Sequence, residues 1–436
     1  MNKKIVVAMA SFKGTLSSRE AGEALARGIS AAGFEPHVVA LADGGEGLGD
    51  ALAPQLPRAS FRDAFCRDPL GNRRFARFAL TFPHSQDQNP PRQMAVIEMA
   101  ASSGLTLVPE SERDPKITTT LGVGDQICEA YSFAGNLKDW LDILLGIGGS
   151  ATNDGGAGMA QALGAKLLDS NGRELPPGGA ALASLARIDM SAFNPLVAKT
   201  KFTVACDVTN PLCGPNGASR IYGPQKGATP DDIKLLDAAL EHYADIIQRD
   251  LGRDVRHVPG AGAAGGLGAG CLAFLNATLK PGIELVLDAL DFNRMLEGAA
   301  VVITGEGCLD EQTLMGKAPA GVAARAQNKR IPCIAIGGGI DEKHRGELQK
   351  VFKQLESLTL FAGSADKAKS EAAHWMERLG LEKARTWLTK KGMRKRRSRV
   401  DQKTFQSAFS FHRAAQCSHR QFGPDAHKTI VAGDQP

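Results

Sequence analysis

The fold class of this chain is decided by the stretch Gly146-Ile147-Gly148-Gly149-Ser150-Ala151-Thr152-Asn153-Asp154-Gly155-Gly156. The apolar run Leu141 to Leu145 precedes it and a helical pattern follows, so the segment is typical of a strand, a glycine-rich turn and a helix. Such a turn brings backbone N–H groups close to a phosphate because glycine has no Cβ, and the helix start adds its positive dipole end. We predict an anion site here; the alternative is a tight strand-to-helix turn without a ligand.

Two further segments combine glycines with charged or amide side chains. One is Leu41-Ala42-Asp43-Gly44-Gly45-Glu46-Gly47, and the other is Val302-Ile303-Thr304-Gly305-Glu306-Gly307, followed by Asp310, Gln312 and Lys317. Three strand-then-glycine turns with acids in one chain favour a shared site for a polyanion and a metal.

Strand and helix patterns alternate near both ends of the chain. The strand patterns are Ile5 to Ala8, His37 to Leu41, Ala300 to Thr304 and Cys333 to Ile336. A helix begins with the capping pattern Ser17-x-x-Glu20 and ends at Gly33, and another runs from about Gly321 to Gln327. We therefore predict an α/β fold with a Rossmann-like, doubly wound parallel sheet formed from both chain ends, with ligands at the carboxyl ends of its strands.

The middle of the chain predicts a second α/β domain inserted into the first. The segment Phe61 to Thr81 predicts two strands joined by a turn at Asp68 to Asn72, and Ala95 to Glu98 predicts another strand. Two long helical patterns follow, Gly122 to Phe133 and Pro230 to Leu251. The predicted domains are residues 1–57 plus 290–388 and residues 58–289. The site is expected in the cleft between them.

Composition and charge exclude several classes of protein. Of 436 residues, 43% are hydrophobic and 23% charged, as in soluble globular enzymes, and the length suggests two domains. We find no run of about 18 apolar residues, and Met1 to Ala10 enters a strand directly, so we expect a cytoplasmic protein without membrane contact. The eight cysteines are scattered without a C-x-x-C pair, which favours buried thiols over disulfides or a zinc site.

The basic character is confined to the end of the chain. Residues 389–436 hold 11 Lys and Arg against 3 Asp, whereas residues 1–388 hold 41 basic against 44 acidic residues. We therefore expect no nucleic-acid binding by residues 1–388. The run Lys390 to Arg399 is expected to begin a disordered basic extension, and docking on nucleic acid or membrane is the less favoured alternative.

Taken in order, these blocks resemble the type I glycerate kinase family, bacterial enzymes that phosphorylate glycerate with ATP. The matching blocks span about residues 3 to 385. They are Ser11 to Ser17, Ala42 to Gly47, Gly146 to Ala157, Ala205 to Gly214, Gly223 to Ala228, Pro259 to Gly268, Ile303 to Gly307, Gln312-Thr313 and Gly316 to Pro319. The resemblance implies two α/β domains, one Rossmann-like, and transfer of a phosphoryl group from ATP to D-glycerate with Mg²⁺, giving 2-phosphoglycerate in most members.

Phosphoryl transfer requires positioning and charge neutralisation more than covalent chemistry. Lys13, Lys226 and Lys317 lie in glycine-flanked turns, where an ammonium reaches a phosphate or the substrate carboxylate, and Lys13 is counted as catalytic. The predicted substrate- and phosphate-binding residues are Ser11, Asp43, Gly44, Gly45, Gly148, Gly149, Ser150, Thr152, Asn153, Asn210, Gln225, Lys226 and Lys317. Gln225 and Lys226 have an alternative as surface residues that only order the following helix.

The acids in these blocks are candidates for a base and for metal ligands. Asp207 follows the strand Phe202 to Ala205 and Asp154 lies beside the glycine-rich turn, so either is a candidate base for the glycerate hydroxyl. Glu306 and Asp310 are the metal candidates, since Mg²⁺ takes one or two carboxylates with phosphate oxygens and water. Each acid has the alternative of capping a helix or holding a loop.

Two other functions remain open at this point. Gly260-Ala261-Gly262-Ala263-Ala264-Gly265 matches the dinucleotide pattern G-x-G-x-x-G, which would suit an NAD-dependent oxidoreductase, but no strand pattern precedes it. The chain also has Met9-Ala10 where the family usually has Pro-Asp, so an impaired kinase or a ligand sensor with a kinase fold is the second alternative. The oligomeric state is open, with a homodimer as one candidate.

Overall fold

A computed structural model describes residues 3–42, 47–81 and 92–388, without the side chains of residues 137–139. Thirteen strands lie in this described part. They are β1 (Lys4–Met9), β2 (Glu35–Ala40), β3 (Ser60–Arg67), β4 (Arg73–Thr81), β5 (Gln93–Glu98), β6 (Leu141–Gly146), β7 (Lys166–Leu168), β8 (Arg187–Asp189), β9 (Lys201–Ala205), β10 (Thr278–Lys280), β11 (Ala299–Leu309), β12 (Cys333–Ile340) and β13 (Gln354–Ser357). The predicted extension, residues 389–436, lies outside the described residues.

The α-helices of the described residues range from one turn to six. They are α1 (Ser18–Ala31), α2 (Leu48–Leu52), α3 (Ala100–Ser103), α4 (Leu121–Ala134), α5 (Ala157–Ala162), α6 (Ala218–Tyr222), α7 (Pro230–Leu251), α8 (Ala263–Leu275), α9 (Gly282–Ala289), α10 (Phe292–Met295), α11 (Glu311–Leu314), α12 (Ala318–Asn328), α13 (Arg345–Val351), α14 (Leu358–Ala362), α15 (Ala365–Ser370) and α16 (Ala372–Trp387).

The first sheet is parallel and has the order β13-β12-β11-β1-β2. Numbered within the sheet, this is the doubly wound order 2-1-3-4-5, and the direction of winding reverses between β1 and β11. The prediction of a parallel sheet built from both chain ends is confirmed. Ligands of such sheets bind in the crevice at this reversal, at the carboxyl ends of the strands.

The second sheet has the order β10-β9-β6-β5-β4-β3. β4 runs antiparallel to both of its neighbours, β3 and β5, whereas β5, β6, β9 and β10 are parallel to one another. All its strands lie between residues 60 and 280, within the interval that separates the two halves of the first sheet. The domain boundaries at residues 57 and 290 stay predictions, since the described residues belong to one compact unit.

Both sheets contribute side chains to one buried apolar cluster. It contains Val6 and Val302 of the first sheet, Val96 and Leu144 of the second, and Leu287 of α9. Removing this apolar surface from water stabilises the packing of each sheet against the helices between them. The carboxyl ends of the strands in the two sheets are thereby held in fixed relation, which a site drawn from both requires.

Helix α1 shows why the local sequence folds as predicted. The Ser17 hydroxyl accepts a hydrogen bond from the Glu20 N–H, and the Glu20 carboxylate accepts one from the Ser17 N–H, which completes the capping box at the N-terminus. The helix packs on α16 at Gly28, where an added Cβ would overlap the Glu377 carbonyl oxygen. α1 is therefore held at both its start and its buried face, and it fixes the turn that precedes it. In the described residues, no helix has the length and apolar content needed to cross a membrane.

Candidate active site

The first part of the site forms where the winding of the first sheet reverses. Met9 at the end of β1 pairs with Gly305 of β11, and the Ala10 N–H donates to the Gly305 carbonyl oxygen over 2.9 Å. A cleft of about 530 Å³ opens there. Its lining residues include Ala10, Ser11, Lys13, Val38, Ala51, Pro54, Gln55, Glu306 and Lys317. Four predicted site residues, Ser11, Lys13, Glu306 and Lys317, are thus brought together.

Two lysines, Lys13 and Lys317, line this cleft. Lys13 is exposed in the turn after β1, and Lys317 is half-buried at the start of α12. Within residues 3–42, 47–81 and 92–388, neither ammonium forms a salt bridge. Two unpaired ammonium groups facing one cleft attract a polyanion.

The two metal candidates differ in what they do. The Glu306 carboxylate is buried beside the cleft and accepts a hydrogen bond from the Thr313 hydroxyl over 2.7 Å. Asp310 is the N-cap of α11, and its Oδ1 accepts from the Gln312 and Thr313 N–H groups. No cluster of three or more His, Cys, Asp or Glu suited to a metal occurs in the described chain. A single carboxylate suits Mg²⁺ carried by a nucleotide, so the chemistry of Glu306 fits that ion, and the contacts of Asp310 are those of a helix cap.

The glycine-rich loop after β6 is exposed at its tip and buried at its base. Gly148 and Gly149 are exposed, and Gly149 has φ +74°, a conformation that favours glycine. Ser150 is nearly buried, whereas Thr152 and Asn153 are fully buried. The predicted strand, turn and helix are confirmed, but only the loop tip faces solvent.

The Asp154 carboxylate lies at the start of the helix that follows the glycine-rich loop. Its fully buried carboxylate accepts hydrogen bonds from the backbone N–H groups of Thr120, Gly156 and Gly158 and from the Thr119 and Thr120 hydroxyls. Burial raises the pKa of Asp154, and these donors oppose the shift by favouring its ionised form. The first N–H groups of α5 are therefore already paired with a carboxylate of this chain. These contacts fit the alternative given for Asp154 in the sequence analysis, that it holds a loop in place.

Lys226 lies beneath the same loop. Its side chain is fully buried, and its Nζ donates to the Thr152 carbonyl oxygen over 2.7 Å. Asn153 is tied to a different element, because its Nδ2 donates to the Ser219 hydroxyl over 2.9 Å. The sequence allowed Gln225 and Lys226 to be surface residues. Gln225 is exposed, whereas Lys226 is buried, so the surface alternative is wrong for Lys226. The buried ammonium supports the backbone of the loop from below.

We predict that Lys226 makes stability depend on pH. Burial lowers the pKa of Lys226 from 10.5 to about 7, and the Asp154 charge partly opposes this. Unfolding then takes up a proton between these two pH values, so the free energy of unfolding rises with pH there, by up to about 1.4 kcal/mol per unit. Urea unfolding at several pH values should show a smaller slope in Lys226→Met than in the wild type. An unchanged slope would contradict the burial of a titrating lysine; the exposed Lys234→Met is the control.

Asp207 and Asn210 follow β9 at the same edge of the second sheet. Ala205, the last residue of β9, pairs with Gly146, so the Asp207 loop neighbours the glycine-rich loop. Asp207 is exposed, and its Oδ1 accepts from the Gly282 N–H at the start of α9 over 2.8 Å. The Asn210 Nδ2 donates to the Asn216 carbonyl oxygen. Asp207 is the accessible carboxylate of the two base candidates.

The dinucleotide-like motif packs against the glycine-rich loop. The Gly155 N–H donates to the Gly265 carbonyl oxygen over 3.0 Å, and a Cβ on Gly265 would overlap the Thr152 carbonyl oxygen. Gly265 also has φ +67°. These glycines are therefore required by close backbone packing, and no strand of the described chain directly precedes them, as the dinucleotide motif would need.

Comparison with known proteins identifies this arrangement. The sequence model of the glycerate kinase family matches residues 5–388. The chain belongs to the glycerate kinase family. The predicted resemblance is confirmed, and with it the assignment as a kinase, whereas an oxidoreductase is not supported.

Relatives of the glycerate kinase family match over most of their length. A glycerate kinase of Bacillus subtilis (strain 168) is 44% identical over 377 residues, which cover 86% of this chain and 95% of that protein. A glycerate 2-kinase of Escherichia coli (strain K12) is 44% identical over 371 residues, covering 84% and 93%. A crystal structure described as a glycerate kinase 2 from Salmonella typhimurium LT2 superposes with a TM-score of 0.75 at 40% identity, covering 90% of this chain and all of that one.

In this glycerate kinase family member, sequence reasoning missed Glu98. It ends β5, and its carboxylate accepts hydrogen bonds from the Gly47 and Gly49 N–H groups over 2.7 and 2.8 Å. The second sheet thereby holds the segment that enters α2, a wall of the cleft. The signal was present, because Glu98 is an acid at the carboxyl end of a predicted strand. The predicted binding residues Asp43, Gly44 and Gly45 lie outside the described residues.

Proposed function

We propose that this protein phosphorylates D-glycerate with ATP and Mg²⁺, giving 2-phospho-D-glycerate. The observation that carries the proposal is the cleft at the strand reversal, where Lys13 and Lys317 face Glu306 in a chain of the glycerate kinase family. Phosphoryl transfer depends on neutralising charge on the transferred group, and these residues supply the cations and one metal-binding carboxylate.

The charges at the rim of the cleft leave the two lysines available to phosphate. Glu23 pairs with Arg19 over 2.8 Å, and Asp50 pairs with Arg77 over 2.7 Å. These carboxylates are therefore balanced by their own partners. In the proposal, Lys13 and Lys317 hold phosphate oxygens, and their ammonium charges offset the negative charge that accumulates in the transition state.

Bound Mg²⁺ would neutralise and orient the phosphate oxygens, and Glu306 is the residue that would hold it. Asp207 is the proposed base, because it is exposed and lies in the loop after β9, beside the glycine-rich loop. It would accept the proton of the attacking glycerate hydroxyl. The exposed backbone at Gly148 and Gly149 would bind the substrate carboxylate, since glycine lets an anion approach the N–H groups.

The proposal is tested by ³¹P NMR of the purified protein mixed with D-glycerate, ATP and Mg²⁺. This measurement detects turnover and the phosphorylated position together. A 2-phosphoglycerate signal is expected. Nucleotide binding without a phosphorylated product would contradict the proposal and favour a ligand sensor with a kinase fold. A 3-phosphoglycerate signal would keep the kinase and change the position of transfer.

A substitution at Ala10 distinguishes the hypothesis of an active kinase from that of an impaired one. It is half-buried next to Gly305 and lines the cleft near Glu306, so Ala10→Asp places a second carboxylate there. We expect kcat to change by less than about threefold, because Lys13 can offset the added charge. Steady-state kinetics of Ala10→Asp beside Ala10→Asn checks this. A rise of about 100-fold in kcat for the aspartate variant alone would indicate that the wild type is an impaired kinase.

A further inference from the structure

One face of the hairpin formed by β3 and β4 carries three exposed phenylalanines. Phe61 and Phe65 share a face of β3 because side chains alternate across a strand, and Phe75 of β4 lies directly opposite Phe65. The three residues are 37%, 66% and 47% exposed for Phe61, Phe75 and Phe65. At about 150–250 Å² for each aromatic side chain, they leave about 300 Å² of aromatic surface in water. Exposed apolar patches of this size often bind another molecule.

The rest of the hairpin is already occupied by this chain. Its opposite face is buried, with Phe78 in the core of the second sheet. On the outer edge of β3, the Arg62 guanidinium donates to the Phe61 carbonyl oxygen over 3.0 Å. At the end of the same strand, the Arg67 N–H donates to the Asp125 carboxylate over 3.0 Å. A strand added to this edge would have to displace both contacts, so the open surface of the hairpin is the aromatic face.

Arg73 and Arg77 add guanidinium groups to this face. The guanidinium carbon of Arg73 lies 5.3 Å from the Phe65 ring centre, and that of Arg77 lies 4.2 Å from the Phe61 ring centre. Asp63 lies between the two phenylalanines on β3. Protein interfaces are rich in aromatic residues and Arg and poor in Lys and Glu, and β3 and β4 contain neither Lys nor Glu. A nucleic acid fits less well, because the arginines cover ring faces on which bases would stack and Asp63 would repel phosphate.

The charges on this face complement one another under a two-fold rotation. Asp63 lies two residues before Phe65, and Arg73 lies two residues before Phe75 on the antiparallel strand. The two charges therefore lie on opposite sides of the Phe65–Phe75 pair, whose ring centres are 5.3 Å apart. Neither charge forms a salt bridge within residues 3–42, 47–81 and 92–388. A two-fold axis through the aromatic pair then brings Asp63 of each copy to Arg73 of the other.

We propose that this face binds a second copy of the chain in a two-fold dimer, with the aromatic pair at its centre and two Asp63–Arg73 ion pairs beside it. Arg77 is already paired with Asp50 over 2.7 Å, so it needs no charge from the other copy. A stable interface buries about 800 Å² on each partner, and the aromatic surface of about 300 Å² forms its apolar core while the polar side chains around it form the rim. The inference does not depend on the proposed reaction, since no substrate takes part in the interface.

Sedimentation velocity without nucleotide or glycerate tests the dimer, at about 1 to 100 µM protein. The wild type is expected to reach twice the 46.0 kDa mass of one chain. Phe75→Ser should weaken the dimer about tenfold or more, because it removes the aromatic centre of the interface. Leu360→Ser is the matched control and should keep wild-type affinity, since Leu360 is 72% exposed on α14, away from the hairpin. A wild type that sediments as a single chain at every concentration would overturn the proposal, and so would an unaltered dimer in Phe75→Ser.

Charge reversal tests the two-fold arrangement. Asp63→Arg alone and Arg73→Asp alone each place like charges opposite each other across the interface, and each should weaken the dimer about tenfold or more. The double variant Asp63→Arg/Arg73→Asp restores opposite charges and should return the affinity to within about threefold of the wild type. Both positions are exposed, so all three variants should fold, which urea unfolding checks. A double variant as weak as the single variants would overturn the pairing of Asp63 with Arg73, and with it the proposed dimer.

Discussion

Lys13→Met should lower kcat/KM for MgATP by about 100- to 1,000-fold while leaving the fold intact. Lys13 is exposed in the turn after β1, and no carboxylate of the described residues pairs with it. Its removal therefore costs no ion pair with any of the residues that the structure describes. The loss falls on the transition state, in which charge on the transferred phosphoryl group needs a nearby cation. Methionine keeps much of the aliphatic length, so the comparison isolates the ammonium.

The measurement is steady-state kinetics with MgATP varied at saturating D-glycerate, beside urea unfolding of the same variant. Lys234→Met is the control, because Lys234 is an exposed lysine that pairs with Asp231 on α7. Its kcat/KM and stability should remain at the wild-type level. A Lys13→Met variant within about threefold of the wild type would remove Lys13 from the phosphate site and leave Lys317 as the candidate phosphate-binding lysine of the cleft.

The sequence predicted the positions that depend on the strand ends. In parallel sheets the carboxyl ends of neighbouring strands meet at one edge, so the blocks that contain Lys13 and Glu306 had to converge once their strands were recognised. The structure places both residues in one cleft with Lys317. The fold class was predictable for the same reason, because short apolar strands closed by glycines imply a buried parallel sheet.

The roles of individual acids were not predictable in this way. Asp154 and Asp207 both follow strand-like segments, but one carboxylate is fully buried among N–H and O–H donors and the other is exposed. Which of the two faces solvent depends on contacts with Thr119 and Thr120, more than thirty residues away in sequence. Local pattern carries no information on such contacts, so the sequence left capping and catalysis as equal alternatives.

The burial of Lys226 could not be predicted from the sequence for a related reason. Its neighbours Gly223, Pro224 and Gly227 are typical of a surface turn. The turn is instead packed under the glycine-rich loop, where the ammonium donates to the Thr152 carbonyl oxygen. The residues next to Lys226 in sequence do not indicate that its ammonium donates a hydrogen bond to a carbonyl oxygen in a distant segment of the chain.

The largest effect on stability is expected from Gly265→Ala, with a loss of about 3 kcal/mol or more in the free energy of unfolding. Two causes add. Gly265 has φ +67°, which alanine adopts at a cost of about 1 kcal/mol, and the added Cβ would overlap the Thr152 carbonyl oxygen. That oxygen also accepts from Lys226, so the loop cannot shift without stretching a buried hydrogen bond. Urea unfolding of both proteins measures the loss.

Gly252→Ala is the matched control, because Gly252 has φ +69° and nothing lies within 4 Å of its added Cβ. It carries the same backbone strain without the overlap and should cost only about 1 kcal/mol. The difference between the two variants is then the energy of pressing a methyl group against the loop backbone. Equal losses would mean that the loop yields to the methyl group, and that the glycines from 260 to 265 serve backbone conformation alone. A larger loss in Gly265→Ala, accompanied by lower activity, would show that the base of the glycine-rich loop must stay in place for its exposed tip to bind an anion.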